Sequence, residues 1–492
     1  MSPRPEDVPS MTRAARLWLD TPLEPPLYGS MGIMGHYFHR ILGELGYDVE
    51  CSIVPDQPAA LQMIPIPAAA STASMRSLRR EEIRIFFDRC LSQVLPVQAR
   101  GVKNVVFFHG LRYAPSVFLQ SDAIAGFCTN SDYLKRVLLG LLRFPDLDPD
   151  TGFRSVRQLA FRGNVIVDAV PLVLPATEFP DGYPSYGEDL PGWVEDELER
   201  DQWLGHALRP RKLIAGATAA IVHLLNQEPL RSRLGRPVRL LVSDIDHARV
   251  VAAGRRWPGG DEVASHVMPV PWIHNQALTT LMKRSHFGLL HDWFPEPFGL
   301  YPLESVFQGN PIYTNGAGNL RHLLPPEHGI RVMEPTVPAG ATGDPAGDPA
   351  GDPLDRYAAI AAAIADGLVS GREAGQCARG RDFIGQHYTA DIFRRGLGSV
   401  LERIEQGTEA PPFDPATLVV ELSPMVREIH REAGVVYSDV GDLRLPHRQI
   451  DLMVRIAGTP LHQALGELAA SELTDLRSLL AAGAISLGSG PS

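Results

Sequence analysis

Over roughly the first 400 residues, short apolar runs alternate with segments in which apolar side chains recur every three or four positions. Ala14 to Leu19 predicts a first strand, followed by a loop rich in proline and glycine. The stripe Ile33, Met34, Tyr37, Phe38, Ile41, Leu42 and Leu45 then predicts a helix. A strand follows at Val49 to Val54, a helix around Ile83 to Val94, strands at Val105 to Phe108 and Ala123 to Cys128, and a helix opened by Ser131. Strand–helix alternation of this kind belongs to a parallel sheet covered by helices on both faces. The rhythm stops between Ala176 and Trp203, where Pro, Gly, Asp and Glu dominate, and then restarts. A helix from Lys212 to Leu225 and strands at Val238 to Val242, His266 to Pro271, Phe287 to Leu290 and Ile312 to Thr314 complete the second run. The expected class is α/β, two Rossmann-like doubly wound lobes meeting near residue 200. Ligands of such sheets sit outside the carboxyl ends of the strands.

Two stretches break the pattern. Residues 343–353 read GDPAGDPAGDP, without apolar content, and are expected to form a solvated, mobile loop rather than a fold element. After Pro411 a different, small α+β unit begins, with strands at Leu418 to Leu422 and Val435 to Tyr437, short helices between Leu452 and Ile485, and a Gly/Ser tail.

Composition narrows the picture. The 492 residues exceed one ordinary domain, and 44% hydrophobic against 21% charged residues excludes a disordered or fibrous chain. A net charge of −11 has the wrong sign for holding nucleic acid by bulk electrostatics, so basic residues act locally. Arginine far outnumbers lysine, which suits a GC-rich, bacterial genome. Cys51, Cys90, Cys128 and Cys377 are isolated and show no metal spacing, which points to reduced thiols in a cytoplasmic protein. The N-terminus lacks a signal-peptide pattern, and no apolar run approaches the ~20 residues of a membrane span.

The chemistry concentrates between His274 and Met333. Glu296-Pro-Phe-Gly-Leu-Tyr-Pro-Leu-Glu304 places two carboxylates around a strand-to-helix junction. Gly299 falls where the helix begins, and Pro302 is tolerated in its first turn. The N–H groups of Phe298, Gly299 and Leu300 then lie at the positive end of the helix dipole, a ready place for phosphate. One carboxylate is suited to sugar hydroxyls and the other to a ribose diol.

This segment resembles the donor-binding signature of retaining GT-B glycosyltransferases of family four: Glu-x7-Glu, Phe-Gly-Leu after the first Glu, and a following Gly-x-Pro before a strand. The counterpart here is Gln308-Gly309-Asn310-Pro311-Ile312, then the Gly-rich turn Asn315-Gly316-Ala317-Gly318-Asn319. The resemblance is strong from 274 to 333 and looser from 14 to 406. It implies an acceptor-side lobe over residues 1–195, a nucleotide-sugar lobe over 196–388, a helix over 389–410 crossing back to the first lobe, and an appended domain over 411–492. It also implies that Glu296 contacts the transferred sugar and Glu304 the nucleotide ribose. His109, at the end of a strand, matches a histidine found near the transferred sugar. Gly29 and Gly32 match an N-terminal loop facing the leaving diphosphate. Lys212 fits the place of a diphosphate-binding lysine, but the arginine spacing departs from the family, leaving Arg209 or Arg211 for the second cation.

By this resemblance the chain moves a sugar from a nucleotide diphosphate sugar to a natural product, glycan or peptide with retention at the anomeric carbon, without a metal or other cofactor. Loops around Asp244 and Asn315 to Leu320 would choose the base and sugar. Rival readings are an epimerase of the same fold, a non-catalytic sugar-nucleotide-binding partner, and a metal site at Asp244-Ile245-Asp246. The last pattern recurs at Asp146-Leu-Asp148 and leaves Glu296 unexplained. Residues 411–492 resemble small winged-helix domains that capture leader peptides; a stabilising cap or a contact between copies of the chain is the plainer reading.

Overall fold

The computed structural model describes residues 13–19, 29–53, 82–87, 90, 100–110, 123–146, 155–158, 166–182, 190–333, 353–407, 418–431, 434–438 and 441–489. The repeat at 343–353 lies outside them except for its last proline, which opens a helix.

The first apolar runs form β1 (Arg13–Leu19), β2 (Tyr47–Ile53), β3 (Glu82–Phe87), β4 (Val102–Phe108) and β5 (Ile124–Thr129). A side ribbon, β6 (Arg143–Asp146) with β7 (Ser155–Gln158), precedes β8 (Ile166–Ala169). The main sheet is parallel, in the order β2-β1-β3-β4-β5-β8. Where sequence spacing predicted a helix from Ile83, the chain forms β3, buried at all six positions. Ile83, Phe86, Phe87 and Cys90 have helical spacing, yet a short apolar run carries both periods, and a central parallel strand needs no polar face. Its two charged residues neutralise each other, the Arg84 guanidinium donating to Glu82 at 3.0 Å.

Helix Gly29–Glu44 covers this sheet with Met34, Tyr37, Phe38, Ile41 and Leu42. Phe38 meets Phe87, Phe107 and Phe393 at centroid distances of 5.3, 4.8 and 5.0 Å. Phe393 belongs to helix Ala390–Glu405, which therefore packs on the first sheet although it follows the second in sequence. Arg403 to Asp168 at 2.7 Å and Tyr47 to Glu405 at 2.9 Å fasten it there.

The second sheet holds β9 (Trp203–Ala207), β10 (Val238–Ser243), β11 (Val267–Val270), β12 (Phe287–Leu290), β13 (Ile312–Thr314) and β14 (Ile330–Val332). All pairs are parallel and the order is β11-β10-β9-β12-β13-β14. The chain turns outward in opposite directions from β9 and β12, so a crevice opens between their carboxyl ends.

The last unit carries its own core. β15 (Leu418–Leu422) pairs with β19 (Ile485–Ser489), and β16 (Val426–His430), β17 (Val435–Ser438) and β18 (Gly441–Arg444) form an antiparallel meander. Helices His447–Ile456, Leu461–Glu467 and Ala470–Ala481 lie between. The sequence reading missed β16, β18 and β19: the final apolar stretch continues a helical pattern, and only its partner β15 makes it a strand. β19 packs against helix Asp132–Leu142 of the first lobe. Among the described residues no helix is long and apolar enough to cross a membrane.

Candidate active site

The loops leaving β9 and β12 are stitched together at the crevice. The Ile214 amide donates to His291 O at 2.7 Å and the Trp293 amide to Lys212 O at 3.0 Å. Arg211 adopts φ 62°, a left-handed conformation that a non-glycine residue keeps only when its surroundings demand it. Here its N–H donates to Asp246 at 2.8 Å and its carbonyl accepts from the Trp293 indole at 2.9 Å. Of the two candidate arginines, it is Arg209 that carries its guanidinium into the centre, between Asp292 and Glu296. The Lys212 ammonium lies 3.1 Å from the same Glu296 oxygen.

Four charges thus meet at the crevice, with Arg209 and Asp292 buried, Glu296 mostly so, and the Lys212 side chain 35% exposed. Burial pushes the Glu296 carboxyl up, but Arg209 and Lys212 outweigh it and hold it at about 2. Asp292 goes the other way: burial lifts it to about 6 against the pull of Arg209. Burial opposes the Arg209 charge, yet Asp292 and Glu296 raise its pKa, while Lys212 is lowered by burial.

Helix Leu300–Phe307 begins beside them. Gly299 caps it at φ 111°, and a Cβ there would stand 2.8 Å from Leu323 Cδ2. The backbone conformation calls for glycine, and a side chain would also press on the buried end of Leu323. The Gly-rich turn holds the preceding segment: Asn319 N donates to Glu296 O at 2.7 Å and Asn319 Nδ2 to Phe298 O at 2.9 Å. Gly318 makes this approach possible, since a Cβ would lie 2.5 Å from Glu296 backbone atoms. Glu304 is buried further along the helix, and Asn275 donates to it at 3.3 Å. Burial raises its carboxyl to about 7, with Asn275 offsetting part of the shift.

A buried relay ties this helix to β9. The Leu208 amide donates to the Tyr301 hydroxyl at 3.0 Å, and that hydroxyl contacts His206 Nδ1. Burial keeps His206 neutral, its pKa lowered to about 3. With the Tyr301 proton directed at Nδ1, the ring hydrogen sits on Nε2, which faces Ser305 Oγ at 3.2 Å.

A cavity of about 710 Å³ opens onto these groups from both lobes. Arg209, Lys212, Asp244, Glu296, Phe298, Gly299, Leu300 and Glu304 line it from the second lobe, and Ile33, Met34, His109 and Asn130 from the first. His109 follows β4 directly; its carbonyl accepts from Asn130 at 3.0 Å and its ring stacks on Phe107 at 6.2 Å. Phe298 turns its ring into the core against Tyr388, at 5.6 Å. Gly29 and Gly32 open the helix whose Ile33 and Met34 reach the cavity. Ser131 caps its helix through the Leu134 amide at 3.2 Å and donates to Pro297 O at 2.7 Å, linking the lobes beside Glu296.

Asp244 and Asp246 do not act as a pair. Asp244 lines the cavity and accepts from its neighbour's amide at 2.7 Å, whereas Asp246 is buried and holds Arg211 and Arg249. Sequence reasoning missed Asp292, Tyr301, His206 and Asn275, and also Trp272, which lines the cavity at 63% exposure. Asp292 carried one usable signal, its place just beyond a strand's carboxyl end.

No family model and no curated protein matches the chain. Solved structures do. Sucrose-phosphate synthase from Thermosynechococcus elongatus superposes with a TM-score of 0.51 at 14% identity, over 80% of this chain and 100% of that one. A glycosyltransferase from Rickettsia africae gives 0.52 at 11%, over 81% and 100%. A UDP-forming α,α-trehalose-phosphate synthase from Burkholderia vietnamiensis gives 0.50 at 11%, over 80% and 99%. At such identities the likeness concerns the fold, and with the two parallel six-stranded sheets it gives this chain the two-lobed GT-B architecture.

Proposed function

We propose that the chain is a retaining glycosyltransferase that moves a sugar from a nucleotide diphosphate sugar to an acceptor admitted by the first lobe. The observation carrying this reading is the meeting of Arg209, Lys212, Glu296 and Glu304 around the start of helix Leu300–Phe307, on one cavity with His109 opposite. Two cations and the first amides of a helix suit a diphosphate; an ionised carboxylate suits sugar hydroxyls; a second, buried carboxyl suits a ribose diol. The product of one fold relative, UDP, is what such a donor leaves behind.

Charge growing on the leaving phosphate would meet the buried Arg209 and the partly exposed Lys212, both on the cavity wall. The carboxylates among the described lining residues, Asp244, Glu296 and Glu304, all come from the second lobe, and Glu296 is engaged by both cations. A covalent sugar intermediate on a close pair of carboxylates finds no support in that arrangement. Front-side attack, with a leaving phosphate oxygen taking the acceptor proton, fits better. On the first-lobe side of the cavity, the His109 side chain would orient a sugar hydroxyl.

The test is a panel of UDP-, GDP- and dTDP-sugars. A selective donor stabilises the fold by mass action, by about 2.7 kcal/mol at one hundred times its Kd, and so raises the melting temperature. Acceptor pools are then screened, and the product's anomeric configuration is read by NMR. Glu296→Gln should retain nucleotide binding and lose transfer. Conversion of the donor to an epimer without any acceptor, or full turnover by Glu296→Gln, would overturn the reading.

A further inference from the structure

Asp292 and Glu296 are both partners of Arg209, but they are built differently. Asp292 is 0% exposed, and its backbone is locked on both sides by Asn315, with N–H to Oδ1 at 3.3 Å and Nδ2 to O at 2.9 Å. It is also bridged to Leu213, in the loop that carries Arg209. Glu296 lines the cavity and shares itself between Arg209 and Lys212. Asp292 Oδ1 is buried without a hydrogen-bond partner, so the side chain's one described polar engagement is the arginine. A carboxylate left half satisfied is costly unless a charge compensates it, and burial has already raised its pKa.

Charge counting shows what this costly group can do. Arg209 and Lys212 balance Asp292 and Glu296 in the free site. A diphosphate brings further negative charge, and the cations nearest the cavity are occupied by Glu296. For Arg209 to turn the edge that Glu296 holds toward the donor, Glu296 must yield it. A guanidinium is a planar fork with donors on more than one edge. One edge is fixed by Asp292 from behind, so the other can change partner without the side chain losing its aim.

We propose that Asp292 is a positioning residue that anchors Arg209, allowing Arg209 to exchange Glu296 for the diphosphate of the donor. This rests on the donor reading above and concerns a residue outside the Glu-x7-Glu pair. In the absence of Asp292, Arg209 is held by Glu296 alone, the carboxylate against which an incoming phosphate must compete.

If Asp292 contributed only its charge, Asp292→Asn would tighten anion binding by removing a repulsive neighbour. Anchoring predicts weaker binding, by roughly tenfold or more, the usual size of a lost hydrogen bond to a charged group. The experiment is isothermal titration of the full-length chain with UDP, GDP and inorganic pyrophosphate, using Asp292→Asn, Arg209→Gln and the double variant. The expected result is a large loss for Asp292→Asn in the native background and a change of about twofold or less in the Arg209→Gln background, because a residue acting through another is not additive with it. The double variant removes both buried charges together and so avoids leaving either unpaired. Should Asp292→Asn fail to fold, Asp292→Glu, which keeps the charge but displaces the fork, is expected to show the same loss. Tighter or unchanged binding, or equal losses in both backgrounds, overturns the anchoring role alone. Failure of the native chain to bind any of the three probes overturns the donor reading, and this inference with it.

Discussion

Glu304→Gln should make the ligand-free protein more stable and a poorer enzyme. Burial lifts the Glu304 carboxyl to about 7, against an ordinary value of 4.5. A group whose folded pKa is raised binds its proton more tightly in the native state. Its stabilisation is therefore complete below pH 4.5 and drains away as pH rises toward 7, at about 1.4 kcal/mol per pH unit. The native chain thus loses about 3 kcal/mol at this one site by pH 8. Glutamine has the same size, carries no charge, and still offers a carbonyl to the Asn275 amide. The variant should match the native chain near pH 4.5 and melt roughly 6–12 °C higher near pH 8, taking about 2–4 °C per kcal/mol for a lobe of this size. Asp292, also raised by burial, to about 6, is common to both proteins, as is Glu296, whose lowered pKa removes stability only as pH falls below the ordinary carboxylate range. The difference between the two melting curves isolates Glu304. Donor hydroxyls, in contrast, prefer an ionised acceptor, and losing two charge-assisted bonds should raise the donor KM roughly tenfold or more. Melting temperatures across pH 4.5–8.5 and donor kinetics at pH 8 are the assays. A melting difference independent of pH, or a variant less stable at pH 8, would refute the argument that burial dominates this carboxyl.

Gly299→Ala forces a left-handed residue and a contact with Leu323, so stability should fall by about 1–2 kcal/mol or more and donor affinity should fall with it; unchanged melting and binding would show that the helix start is not held as described. Tyr301→Phe leaves the Leu208 amide without its acceptor at a cost of about 1–3 kcal/mol, and because that loop aims Arg209, donor KM should rise more than kcat falls, as steady-state kinetics would show. Ser131→Ala removes a helix cap and a bond between the lobes; hydrogen exchange at helix Asp132–Leu142 should accelerate, with a stability loss of about 1 kcal/mol.

Where the chemistry is local, the sequence was legible. Glu296, Gly299 and Glu304 lie within nine consecutive residues, and a strand end, a glycine and a helix start determine their relation to one another with little help from elsewhere. The Gly-rich turn that supports them is also near in sequence. The choice between Arg209 and Arg211 was not legible, because it depends on Asp246 drawing the Arg211 amide aside. The strand β3 was misread for a related reason: Ile83, Phe86 and Phe87 suit either a helix or a fully buried strand, and the neighbours β1 and β4 decide.

By themselves, the residues determined two doubly wound lobes, a glycine-started helix with one glutamate before it and one inside it, and a distinct unit at the end. Tertiary structure alone decided which charges meet. Arg209 lies 83 residues from Asp292 and 87 from Glu296, and His206 lies 99 from Ser305. These contacts exist because β9 and β12 pair side by side in parallel, and parallel pairing joins segments separated by whole helices and strands. Periodicity reports which face a residue presents, but not which distant strand will lie beside it. The buried acid–base cluster at the crevice is a product of that pairing, and so is the anchoring of Arg209.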